Sequence, residues 1–282
     1  MFKLRDWIDE SKLTDYLSSN PRAIQYLQQN PDKIDWRTLS DNPEAYPILN
    51  QNQDKIEWRW LSMNPCAVPI LERNLSKINW AMLSRNPAAI PFLEKNLNKI
   101  NWMWMSSNPA AIDLLTRNQH KIDWRNLSSN VSALELIKQH PERIDWEILS
   151  MNPSAIPILE TNDDKIAWNC LSWNPAATHI LEANLDRVDW FLLSTNKGAI
   201  RLIEKNLDRM NWLLLSENPA AIEILEANQD KIYWPSLSKN PAIFEYDYKK
   251  MKETGTRPFV EELMQNRFHP KNLTKFEDWG YE

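Results

Sequence analysis

Asn108-Pro-Ala-Ala-Ile-Asp-Leu-Leu-Thr-Arg-Asn118-Gln-His-Lys-Ile-Asp-Trp124-Arg-Asn-Leu-Ser-Ser129 is the unit from which this 282-residue chain is built. Its tryptophan recurs every 22 residues without a slip, at Trp36, Trp58, Trp80, Trp102, Trp124, Trp146, Trp168, Trp190, Trp212 and Trp234. Its opening asparagine recurs with it, from Asn20 to Asn218, and Asn240 opens an incomplete eleventh copy. A fixed period of this length is the mark of a solenoid. One unit is too short to bury its own apolar side, so neighbouring units must stack and share a continuous core.

The local chemistry of the unit predicts two short helices. Asn-Pro is a helix start: asparagine caps free backbone N–H groups, and proline tolerates the first helical position. Ala111, Ile112, Leu114 and Leu115 fall on one face of that helix, and the facing positions are polar. A second asparagine, such as Asn118, ends it and is expected to adopt the left-handed conformation that closes helices. Lys-Ile-Asp-Trp then opens the second helix, with Asp123 as cap and Ile122 and Leu127 as a hydrophobic staple. Trp, Leu and Ser share its inner face, so the tryptophans are expected in the core and the serines need a partner there. Pro47, Pro69, Pro91 and Pro157 stand inside the first helix. Either a 3₁₀ first turn or a regular helix beginning at the proline accommodates them. The reading is an all-α solenoid of ten two-helix repeats. The alternative is an α/β horseshoe resembling leucine-rich repeats, with Ile-Asp-Trp as a short strand.

The chain divides into an N-terminal cap with half a repeat (1–19), ten repeats (20–239) and a C-terminal helical cap (240–282). Leu17, Ser18 and Ser19 match the tail of the unit, but Thr14 stands where tryptophan would be. Helices are expected near Pro258–Phe268 and Asn272–Trp279.

The net charge of −5 and a pI near 5.6 do not favour a nucleic-acid or membrane-surface protein. Cys66 and Cys170 lie too far apart along the stack to pair, which fits a reducing compartment. The N-terminus does not read as a signal peptide, and no apolar run approaches a membrane span. The expectation is an intracellular, soluble protein. His120, His140, His179 and His269 show no metal-ligand spacing, and three glycines cannot build a phosphate loop. Neither catalysis nor a cofactor or metal is expected.

The unit Asn-Pro-x-Ala-Ile…Lys-Ile-Asp-Trp-x-x-Leu-Ser resembles tandem repeats in many proteins of large DNA viruses of algae and amoebae. Ile243-Phe-Glu-Tyr-Asp-Tyr248, followed by Phe268-His-Pro-Lys271, is similar to the C-terminal cap of those proteins. The resemblance implies a viral protein made in an infected cell, and it brings no functional residues with it.

Two surface patterns bear on function. Lys33, Lys55, Lys77, Lys99, Lys121, Arg143, Lys165, Arg187, Arg209 and Lys231 form a basic column. Flanking acids cancel much of its field and no aromatics are interleaved with it, so it reads as structural and nucleic acid is not expected. The second pattern is the outer face of the second helix. Arg125, Asn126 and Ser129 make that face polar in the fifth unit. Elsewhere it carries Trp60, Met63, Met82, Met103 and Trp104, then Ile148, Met151, Cys170, Trp173, Phe191, Leu192, Leu213 and Leu214. A position that accepts arginine and tryptophan alike is not an obligatory core site, and exposed apolar runs mark protein contacts. The expected function is a non-catalytic protein-binding scaffold that acts through these residues on a partner or on a second copy of itself. A structural component of a virus particle is the alternative.

Overall fold

A computed structural model describes residues 2–253. The expected helices near Pro258–Phe268 and Asn272–Trp279 lie outside the described residues. The repeats are helical, and each contains more turns than the two-helix reading supplies. The fifth unit runs through a 3₁₀ turn (Pro109–Ala111), an α-helix (Ile112–Arg117), a second 3₁₀ turn (Gln119–Lys121) and a second α-helix (Trp124–Ser128). Ile122 and Asp123 are extended, but they pair with nothing as a strand, because Asp123 Oδ1 accepts from Asn126 N at 2.9 Å and starts the helix instead. The horseshoe alternative therefore falls.

The internal prolines fit because the α-helix starts late. Helices Tyr46–Gln51, Val68–Glu72, Ile90–Glu94 and Ile156–Leu159 each place proline second, where no N–H is required.

The second asparagine of the unit corrects an expectation. Asn118 has φ −130° and ψ 41°, outside the left-handed region, and its Nδ2 donates to Leu114 O at 2.9 Å. The side-chain amide thus satisfies a carbonyl that the ending helix leaves without a partner.

Between units the polar groups form ladders. Ser106 Oγ donates to Trp102 O at 2.7 Å and accepts from Asp123 N of the following unit at 3.0 Å. Asn130 Nδ2 donates to Ser106 O at 3.0 Å and to Asn108 O at 2.9 Å, while Asn130 Oδ1 caps its own helix start through Ser132 N. Both columns are buried, and these bonds give their side-chain polar groups the partners that burial demands.

The ladder does not end at the last repeat. Asn20 Nδ2 donates to Ser238 O at 3.3 Å and to Asn240 O at 2.9 Å, the same two bonds that Asn42 makes to Ser18 O and Asn20 O. The N-terminal segment meets the stretch from Ser238 to Tyr246, and the solenoid closes into a ring. Asn240–Phe244 supplies the first part of an eleventh unit and the N-terminal segment supplies the second, with the Asp15–Ser19 turn in place of the second helix. Two short strands, β1 (Phe2–Leu4) and β2 (Phe244–Tyr246), pair antiparallel across the seam with Phe2 opposite Tyr246. Arg5 reinforces it, its N donating to Ile243 O at 2.9 Å and its Nε to Ala242 O at 2.8 Å. Eleven units in one turn give about 33° per unit, the small repeat rotation that sets solenoid curvature.

Candidate binding surface on the inner face of the ring

The second helices lie nearest the ring axis. Trp36–Asp41 packs directly on Trp58–Leu61, and Trp212–Glu217 on Trp234–Lys239, with Asp15–Ser19 filling the same place at the seam. Consecutive first helices such as Ile24–Gln29 and Tyr46–Gln51 do not approach as closely. In a closed ring the crowded elements are those at small radius. The helix face that points away from the core therefore turns into the ring, and the sequence's "outer" face is the concave one.

With neighbouring helices about 8–10 Å apart, the circle through the second helices is about 30 Å across, and helices about 10–12 Å thick leave an opening of about 20 Å. The sequence-predicted residues lie along this surface in two arcs. Trp60, Met63, Met82, Met103 and Trp104 occupy one, with Met103 42% exposed and the others half-buried. Ile148, Met151, Trp173, Phe191, Leu192, Leu213 and Leu214 occupy the other, where Phe191 is 55% exposed and Trp173 and Leu213 are each 45%. Cys170 is buried instead, and burial raises its thiol pKa above the ordinary value. The polar fifth unit separates the arcs on one side, with Arg125 paired to Asp145 at 3.5 Å.

Two cavities are cut into this surface. One, of about 450 Å³, is lined by Tyr16, Arg37, Thr38, Asp41 and Trp60 among others, so the N-terminal segment supplies part of its wall. Guanidiniums of Arg37 and Arg59 lie 5.5 and 5.9 Å from the Trp60 ring, and that of Arg85 lies 4.6 Å from Trp104. Burial pushes the Asp41 carboxyl up to about 6, against the opposing pull of Arg85 two units away. The other cavity, of about 560 Å³, spans four successive junctions between units, from Trp173 to Pro241. A single cavity can span four successive junctions only where the surface is concave.

The basic column has a structural role. Eight of its ten cations lie over the indole of the preceding unit, among them Lys55 over Trp36 at 4.7 Å, Arg187 over Trp168 at 4.4 Å and Lys231 over Trp212 at 4.8 Å. Lys12 lies over Trp234 at 4.9 Å and carries the series across the seam. Such pairs contribute about 0.5–1 kcal/mol at exposed sites. Trp80 departs from the rule, stacking on Phe92 at 5.7 Å. The tryptophans are accordingly half-buried rather than core residues, one face on the leucines and the other under a cation. The repeat spacing alone could have suggested the pairing, since cation and indole stay 19 residues apart throughout.

Among the described residues no group of three His, Cys, Asp or Glu is placed to hold a metal ion, and no helix is long and apolar enough to cross a membrane. No known protein family, curated protein or solved structure matches the chain.

Proposed function

We propose that this protein is a non-catalytic ring that holds a protein partner against its inner face. The observation that carries the reading is the exposure of Phe191 and Leu213 beside Leu192 and Leu214 in adjacent units, on a wall the fold does not need them to fill. Arg125 and Asn126 occupy the equivalent positions in the fifth unit, whose core is complete without apolar residues there. Burying such a side chain against a partner contributes roughly 1.5–3 kcal/mol. The concavity favours a separate partner over self-association, because two rings cannot bring their inner faces together.

The test is a Phe191→Ser/Leu213→Ser variant compared with the unaltered protein in affinity capture and thermal melting. The reading requires that a partner retained by the unaltered protein be lost while Tm moves by only a few degrees. A large fall in Tm with the partner still captured would make these residues part of the core and end the proposal.

A further inference from the structure

The unit that starts at Asn196 breaks the repeat at two adjacent positions, the first of which lines the larger cavity while the second packs against Pro175, another of its lining residues. Lys197 stands where nine of the eleven units have proline, and Gly198 stands where others carry Ala88, Ala110, Ala176, Ala220 or Ala242. A Cβ on Gly198 would lie 2.1 Å from the Pro175 carbonyl oxygen, so only glycine allows the backbone this close to the preceding unit. Lys197 is thereby fixed on the cavity wall, among Trp173, Leu214, Pro175, Pro219 and Pro241. Of the charged groups in that cavity, Glu217 and Lys239 pair at 3.6 Å and cancel. Lys197 is exposed and makes no ion pair among the described residues. The cavity is an apolar trough with an exposed indole and, among the described residues, one uncompensated positive charge.

The geometry points to a specificity subsite for the partner, a refinement that rests on the binding-ring reading above. A single segment of a separate polypeptide enters the ring and lays an apolar or aromatic side chain on Trp173, Leu214 and the prolines. The Lys197 ammonium takes the carboxylate of a neighbouring Asp or Glu on that segment. The opening of about 20 Å admits one helix, about 10–12 Å thick, but not a folded domain. One free charge suits a single carboxylate, whereas a nucleic-acid strand requires a track of cations along its phosphates.

The experiment is selection of random dodecapeptides on the intact protein, followed by affinity measurement of the selected peptides with Lys197→Glu and with Phe191→Ser/Leu213→Ser. Lys197 is exposed and makes no ion pair among the described residues, so its reversal leaves the fold in place, which Tm checks. Selected sequences should combine Asp or Glu with Trp, Phe or Leu, and Lys197→Glu should weaken them by about tenfold or more, as expected for turning an attraction into a repulsion. Peptides without acidic residues, or unaffected by Lys197→Glu yet lost with Phe191→Ser/Leu213→Ser, would overturn the subsite and leave the binding ring standing. Failure to select any peptide, or peptides indifferent to both variants, would remove the subsite and the ring reading together. Tighter binding of an oligothymidylate that Lys197→Glu abolishes would assign the cavity to nucleic acid and overturn the proposal.

Discussion

The seam of the ring and an interface within the chain make nearly the same bonds by different means. Between the fourth, fifth and sixth units, Asn130 bonds Ser106 O and Asn108 O, Ser106 Oγ accepts from Asp123 N, and Lys121 lies over Trp102. At the seam Asn20 bonds Ser238 O and Asn240 O, and Lys12 lies over Trp234. Ser238 Oγ accepts from Thr14 N at 3.0 Å, one residue later in the unit than elsewhere. Thr14 leaves no indole for the next cation, and Lys33 turns instead to Tyr26 and to Glu10, the latter at 3.1 Å. The tyrosine hydroxyl also donates to Glu10. These contacts, with the strand pair β1–β2, are additions found only where the chain does not continue. A unit interface in this protein is thus a property of side chains and backbone groups at fixed positions, and covalent linkage between the units is dispensable once those groups are in place.

The largest effect that would break this comparison is expected at the seam. Phe244 is 2% exposed although it lies beyond the last complete repeat. Phe244→Ala should cost about 3–5 kcal/mol, as for an aromatic residue in a closed core. In an open stack with a frayed end the loss in denaturant unfolding would be well below that. Next, Asn20→Ala and Asn130→Ala should each cost about 2–3 kcal/mol, since each removes a cap and takes the side-chain donor from a carbonyl between units, that of Ser238 or of Ser106. Similar losses at the two sites are the outcome a closed ring demands, and a mild effect at Asn20 alone would mean the ladder is interrupted there.

Asp41 reports on the seam through pH. Its carboxyl titrates near 6 in the folded protein, above the ordinary 3.8, so the folded state binds the extra proton between these values. Stability from this group is therefore greatest below pH 4 and declines as pH rises through 6. Asp41→Asn should raise Tm at pH 7–8 and leave it nearly unchanged at pH 4. Carbon-13 NMR of the carboxyl should place its pKa near 6, and a variant that opens the seam should bring it back toward the ordinary value. Smaller still, Lys12→Gln and Lys165→Gln remove equivalent cation–indole pairs, one across the seam and one within the chain. Each should lower stability by less than about 1 kcal/mol, and a clear difference between them in matched thermal melts would show that the seam is held less tightly. Finally, Asn118→Gly should be no more stable than Asn118→Ala. Both lose the amide bond to Leu114 O, and glycine adds backbone entropy at a φ that does not require it.

The sequence by itself determined the unit. Asn-Pro, Asp-Trp and the apolar columns specify short helices through capping and periodicity, which act over a few residues and read directly from spacing. The ten-fold repetition made stacking necessary, and the polar fifth unit already showed that Trp60, Phe191 and Leu213 are not demanded by the core. Local cues misread Asn118, because asparagine can end a helix through its backbone or through its amide and only the surrounding carbonyls select between them. They also placed the tryptophans too deep, since an amphipathic face does not reveal the cation that will cover its edge. Closure was decided by tertiary structure alone. About 33° of rotation per unit is the sum of many small packing choices, and no single position carries it. That accumulated angle brings Asn20 to Asn240, makes the N-terminal segment and Asn240–Phe244 parts of one unit, and turns an apparent outer face into the inner wall of a ring.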